Sequence, residues 1–376
     1  MKVAFTGDVG FTRYFANQYA KNDIIDENIE SFLTDTDYTV VNVEGAIFSG
    51  KASAKKALLH INPPEIVPFL KRINGKVWNV SNNHVYDAGD EGLLSTVEIA
   101  KENGAEALGV GKTEEEASKP VILKGNDFNV GLLSVTNDLT PEATINSCGC
   151  VRFNNLKKIK QLIKEVKKTC KWCVINVHTG EEFAPIPMPY IRKIYRKYTK
   201  MGADIVIGHH PHVVENFEII KGKSPKIIFY SLGNFIFDTD YQRKQDYTDV
   251  GVLVKVNFTK KDFAFEVTSI KIDREEHKII AGNEIPAIFT NIDGKLYKKL
   301  WPLSAKVLRI NERIKWAIIY PENKDFTPEE WEKWELERAK ESPAERDILK
   351  GSVLAELNRW QDADEELINY IKGSRF

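Results

Sequence analysis

Six short runs rich in β-branched residues alternate with stretches of helical period over the first two thirds of this 376-residue chain. No other feature constrains the fold as much. The runs are KVAFTG (2–7), YTVVNV (38–43), VWNVS (77–81), NVGLLSV (129–135), WCVINV (172–177) and ADIVIG (203–208). Helical stretches fall between them at about 24–33, 64–72, 91–103, 155–169 and 189–201. In the fourth of these, Leu156, Ile159, Ile163 and Val166 share one face with lysines elsewhere, the pattern of a solvated amphipathic helix. Such alternation predicts an α/β domain whose strands present their carboxyl ends along one edge. From about residue 213 the pattern changes, and VVENFEII, KIIFYSLGNF, GVLVKVNF and FAFEVTSIKI read as antiparallel strands joined by short turns. A four-layer α/β/β/α sandwich accommodates both halves.

Composition narrows the classes. The formal net charge of −1 argues against electrostatic attraction to nucleic acid or an anionic membrane. No apolar run approaches the roughly 18 residues of a transmembrane helix, and no export signal opens the chain, so a cytoplasmic protein is expected. Cys148 with Cys150 and Cys170 with Cys173 have the spacing of a knuckle or redox pair, but Cys173 opens an apolar strand, where a buried thiol is ordinary. Beyond about 325 the chain turns helical and highly charged. Thr327 and Glu330 look like a capping box with Pro328 at the first helical position. Gly351, Leu354, Ala363 and Leu367 have the spacing of one tetratricopeptide-type hairpin. The expected division is a domain over 1–325, with antiparallel strands to about 310, and a helical extension over 326–376. One such unit cannot bury its own apolar face, so it packs on the domain or on a protein partner.

The chemistry lies where the strands end. Asp8 follows the first strand, Glu44 the second, Asn82, Asn83 and His84 the third, His178 the fifth, and His209, His210 and His212 the sixth. Carboxylate, amide and imidazole from separate loops suit Mn²⁺, Fe or Zn²⁺ better than Ca²⁺. No thiolate belongs to the set, which argues against a structural zinc. In His210-Pro211-His212 an extended backbone would aim both imidazoles one way, and proline favours extension at the residue before it.

GDVGFTR, NVEG, SNNHVYDAGDEGL, VHTGEEF, GADIVIGHHPHVVENFE and FYSLGNFIFD, in this order, resemble the CapA family of poly-γ-glutamate capsule biosynthesis proteins, part of the calcineurin-like metallophosphoesterase superfamily. The similarity runs from about residue 2 to 240. The resemblance implies that Asp8, Glu44, Asn83, His178, His210 and His212 hold one or two divalent ions, with Glu44 in the bridging position. It implies a phosphoester hydrolase with a metal-activated hydroxide as nucleophile, and His84, oriented by Asp87, acting at the transition state or leaving oxygen. Arg13, His209 and Asn234 would meet a small-molecule or polymeric anionic substrate, and Glu182 would orient His178. Ser231 stands beside Asn234 on the rim or in a turn. Two departures stand out: Gly10 replaces the superfamily's histidine, and Glu44 replaces an aspartate. The alternative function is that of a non-catalytic component that binds, exports or retains a capsule polymer. His60 and His277 match no motif and read as packing and surface residues.

Overall fold

A computed structural model describes residues 1–53, 59–222, 224–302 and 304–305. The capping box and the tetratricopeptide-like hairpin lie outside these. Fourteen strands form two large sheets. They are β1 (Lys2–Val9), β2 (Tyr38–Val43), β3 (Gly75–Asn79), β4 (Glu106–Leu108), β5 (Val121–Lys124), β6 (Asn129–Thr136), β7 (Trp172–His178), β8 (Ile205–His209), β9 (Phe217–Ile220), β10 (Lys226–Phe229), β11 (Asn234–Ile236), β12 (Val250–Phe258), β13 (Phe263–Asp273) and β14 (Lys278–Ala281). The first sheet has the order β14-β13-β12-β1-β2-β3-β4, with β11 also pairing β1. The second has the order β9-β10-β8-β7-β6-β5. All six strands trusted from the sequence are present, and β1, β2 and β3 run parallel, as do β6, β7 and β8.

Alternation along each strand divides the apolar residues among three cores. Val3, Phe5, Val40 and Val77 of the first sheet meet Leu132, Val174, Ile205 and Ile207 of the second in the middle core. The opposite face of the first sheet, with Ala4, Val41 and Trp78, packs on helices Glu27–Thr34, Val67–Arg72 and Gly89–Glu102 through Leu33, Phe69 and Leu93. The outer face of the second, with Leu133, Ile175 and Val177, packs on helices Leu156–Thr169 and Pro189–Met201 through Ile159, Ile163 and Tyr195. Helix, sheet, sheet, helix is the four-layer order expected. Each core side chain, removed from water, contributes about 1.5–3 kcal/mol. The cysteine pairs belong to two of these cores, Cys148 and Cys150 in one, Cys170 and Cys173 in the other. All four are free and buried.

One expectation is corrected. KIIFYSLGNF is not a single antiparallel strand. Its first half is β10, parallel to β8 in the second sheet, and its end is β11, parallel to β1 in the first. Strand propensity runs through both halves, but Gly233 adopts φ +70°, a left-handed conformation, and breaks the run. The chain thereby crosses between sheets beside the carboxyl ends of β1 and β8.

Candidate metal centre

Strand register sets two rows of polar residues against each other. In the first sheet Asp8 pairs with Asn234 on one side and Asn42 on the other, and Asn42 pairs with Asn79. In the second, His178 pairs with Thr136 and His209. Asp8 is the hub. Its Oδ1 accepts from Asn42 Nδ2 at 2.7 Å and lies 3.2 Å from His209 Nδ1. Its Oδ2 lies 3.3 Å from His212 Nδ1 and accepts from the His210 backbone N–H at 3.4 Å. Asn79 Nδ2 donates to Asn42 Oδ1 at 2.6 Å, so a chain of amides fixes the carboxylate from behind.

Glu44 is the opposite case. It is fully buried, and neither carboxylate oxygen has a hydrogen-bond partner among the described residues. Around Oε1 stand His212 Nε2 at 3.6 Å, His84 Nε2 at 3.9 Å and His178 Nε2 at 4.0 Å. Asp8, Glu44 and His178 each offer a ligand atom within 4.8 Å of the others. Asn83 Oδ1 lies 2.8 Å from His178 Nε2. A buried anion left without donors costs several kcal/mol, which a bound cation offsets. Carboxylates, amide oxygen and imidazoles are the donor set for a divalent transition metal, so the residues fit such an ion.

The electrostatics differ between the two carboxylates. Burial pushes Asp8 upward, but hydrogen bonds from His209 and His212 outweigh it and hold the carboxyl well below its usual range. Burial pushes Glu44 well above the usual range; His212 offsets this only in part, and the charge of Asp8 adds to it. Burial holds His178 well below the ordinary imidazole value, leaving it neutral and able to ligate.

The remaining sequence-predicted residues fall into place unevenly. His84 Nδ1 lies 2.7 Å from Asp87 Oδ2, which turns Nε2 toward Glu44. At 8% exposure His84 is the most accessible of Asp8, Glu44, Asn83, His84, His178, His210 and His212. His210 and His212 are not in extended backbone: their φ values are +96° and +57°. Tertiary contacts override the local bias of proline here, and strain of this kind gathers at functional sites. Asn234, expected at the substrate rim, is fully buried. Its Oδ1 meets His212 Nδ1 at 2.9 Å, while Nδ2 donates to Gln242 Oε1 and the Thr248 carbonyl, both at 2.9 Å. It orients a histidine instead of facing substrate. His209, likewise expected to meet substrate, is buried against Asp8, its ring stacked 6.4 Å from that of His178. Ser231 is also buried and donates to the Val213 carbonyl. Glu182 is half-buried, and its charge acts on Glu44 and His212, whereas Asn83 meets the His178 ring. Arg13 sits half-buried at φ +49°, opening a single 3₁₀ turn. His277, also at positive φ, packs near Tyr14 and Phe15.

Gly10, where the sequence resemblance leads to the expectation of a histidine, stands against Phe237. A Cβ at position 10 would lie 2.7 Å from that ring. The ring is stacked on His212 with centroids 4.8 Å apart. Gly10→His is therefore expected to add no metal affinity and to destabilise the fold by about 1–3 kcal/mol, the usual cost of overpacking. Thermal melting and metal titration of Gly10→His, alone and with Phe237→Ala, check this. Destabilisation that Phe237→Ala does not relieve would rule the explanation out.

Sequence reasoning missed Asn42, Asn79 and Phe237, while His60, read as a packing residue, is buried. A signal for the asparagines was present: Asn-Val recurs near the ends of three apolar runs, at Asn42-Val43, Asn79-Val80 and Asn176-Val177, and the first two amides form the chain behind Asp8. A lone amide recurring at the same place in apolar strands marks a shared polar layer.

Comparison with known proteins settles the family. Residues 2–239 match the sequence model of the bacterial capsule synthesis protein PGA_cap. The chain belongs to the CapA family of capsule synthesis proteins. It is 33% identical over 282 residues to the PGA biosynthesis protein CapA of Bacillus subtilis, a match covering 72% of each chain. With the capsule biosynthesis protein CapA of Bacillus anthracis it shares 30% identity over 258 residues, 65% of this chain and 62% of that one. Among solved structures it is similar to the Haemophilus influenzae NAD nucleotidase, with a TM-score of 0.42 and 10% identity over 93% of this chain and 60% of that one. Among the described residues no helix is long and apolar enough to cross a membrane.

Proposed function

We propose that this CapA-family protein is a metal-dependent hydrolase of the phosphoester type, acting on a small-molecule or polymeric anionic substrate. The observation that carries the reading is Glu44, an acid buried without a donor amid three imidazoles and Asp8. Asp8, Glu44, Asn83, His178, His210 and His212 would hold one or two divalent ions of Mn, Fe or Zn. Such ions supply Lewis-acid stabilisation of charge developing on a phosphoryl group. The chain's own part is orientation and proton transfer. The amides of Asn42 and Asn79 fix Asp8, and Asn234 fixes His212. His84, held through Nδ1 by Asp87, presents Nε2 to donate a proton to the leaving oxygen. Arg13 would pair with an anionic group of the substrate, and Glu182 would tune His212.

The test is a screen of phosphomonoesters and phosphodiesters with protein reloaded separately with Mn²⁺, Fe²⁺ and Zn²⁺. Turnover that requires the metal and is lost in Asp8→Ala is expected. Metal-loaded, folded protein inactive on every ester would reject hydrolysis and favour polymer binding without turnover.

A further inference from the structure

His60 carries no motif, yet it touches both members of the His84–Asp87 pair. Its backbone N–H donates at 2.9 Å to Asp87 Oδ2, the same oxygen that holds His84 Nδ1. Its ring stands edge-on to His84 with centroids 4.2 Å apart and an interplanar angle of 74°. Its Nδ1 lies 3.2 Å from the Thr12 hydroxyl. On its other side is Phe237 at 4.8 Å and 66°, and Phe237 is the ring stacked on His212. A column of four rings, His84, His60, Phe237 and His212, thus joins the acid to a residue of the metal centre.

The local sequence explains how His60 reaches this place. Ala46–Ile47 and Ile61–Asn62 form a short parallel pair, which lays His60 across from Gly45. A Cβ at Gly45 would lie 2.2 Å from the His60 carbonyl oxygen, and Gly45 has φ +87°. Only glycine lets the segment pass so close behind Glu44. Asn62 then donates to the Glu44 carbonyl at 2.8 Å and accepts from the Phe11 N–H at 2.7 Å. The segment His60-Ile61-Asn62 braces Glu44 with one residue and the His84–Asp87 pair with another.

We infer that His60 is a positioning residue for His84. Asp87 fixes one nitrogen of the His84 ring, but one hydrogen bond leaves the ring free to tilt about it. The edge of His60 removes that freedom and aims Nε2 into the site. Phe237 and the Thr12 hydroxyl hold His60 in turn. The inference rests on the reading of His84 as a proton donor, so its test needs one measurement that does not depend on turnover.

In intact protein carrying ¹³C,¹⁵N-labelled histidine, His84 should give one sharp ring signal, which His60→Ala broadens or splits as the ring samples other orientations; a displacement alone reflects the lost ring current of His60. A His84 signal that stays single and sharp overturns the inference, whether or not the protein is active. A broadened or split signal in a protein without phosphoesterase activity upholds the positioning and rejects the catalytic reading instead. In active protein, His60→Ala is expected to lower kcat by about 10- to 100-fold, the range for a misplaced catalytic group, with KM and bound metal unchanged. His60→Phe keeps a ring against His84 and should recover most of the loss. Wild-type kcat in His60→Ala, or no recovery in His60→Phe, overturns the inference. Should His60→Ala not fold, Thr12→Val replaces it, with the same His84 signal as the deciding readout.

Discussion

His84→Ala is expected to lower kcat by about 100- to 10,000-fold, the range over which a positioned general acid acts. Bound metal should stay as in the wild type, while the melting temperature falls because buried Asp87 loses a partner. Both halves follow from geometry. His84 meets Asp87 through Nδ1, its Nε2 is 3.9 Å from Glu44, and it is the more accessible edge of an otherwise closed site. Removing a group that transfers a proton slows the chemical step without disturbing residues that hold an ion. Steady-state kinetics combined with metal analysis on the same preparation checks the prediction. A variant with unchanged kcat excludes His84 as the acid, and a variant without metal makes it a ligand.

Glu44→Gln should be the more stable protein without metal and the less stable one with it. Without metal, burial raises the Glu44 carboxyl well above its unfolded value. A group shifted upward contributes stability that is present below the unfolded pKa and lost as pH rises through the folded one. Metal-free wild type should therefore lose stability as pH climbs above the ordinary glutamate range, while Glu44→Gln, which cannot ionise, should not. With metal the charge becomes an asset. Ligand at about 100 times Kd adds about 2.7 kcal/mol to the wild type, and Glu44→Gln should forfeit most of it. Melting temperatures of both proteins with and without Mn²⁺ from pH 5 to 9 would show the crossing as about a few degrees each way. Parallel pH curves for the two metal-free proteins would contradict the account of Glu44.

What was legible in the sequence was set by local rules. Each trusted strand is a run rich in β-branched residues, and four of the six lead by chain geometry alone to Asp8, Glu44, Asn83 with His84, and His178, whereas the run before Thr136 brings no such group. The layer order followed from the same alternation, since one strand face feeds the middle core and the other a helix layer. What was not legible depends on contacts distant in sequence. KIIFYSLGNF has strand propensity throughout, and nothing local says that its halves join different sheets. The positive φ of His210 opposes the local bias of Pro211, and that of His212 has no local cause in the sequence. Asn234 was misplaced for a related reason. Its motif reads as a turn, whereas pairing β11 to β1 buries it beside Asp8 with its amide on His212. His60 reached the site through a two-strand pair and a glycine, neither of which carries a motif.

Asp8, Glu44 and His178, with their neighbours, are the residues on which metal binding would depend. Elemental analysis of the purified chain after dialysis against Mn²⁺, Fe²⁺ or Zn²⁺, beside Asp8→Ala and His178→Ala, is the decisive measurement. About one or two ions should be retained per wild-type chain. Both variants should show a clear loss, with their folds intact by circular dichroism. A folded wild-type chain that retains no ion, or variants that retain as much as the wild type, would contradict a metal centre at these residues.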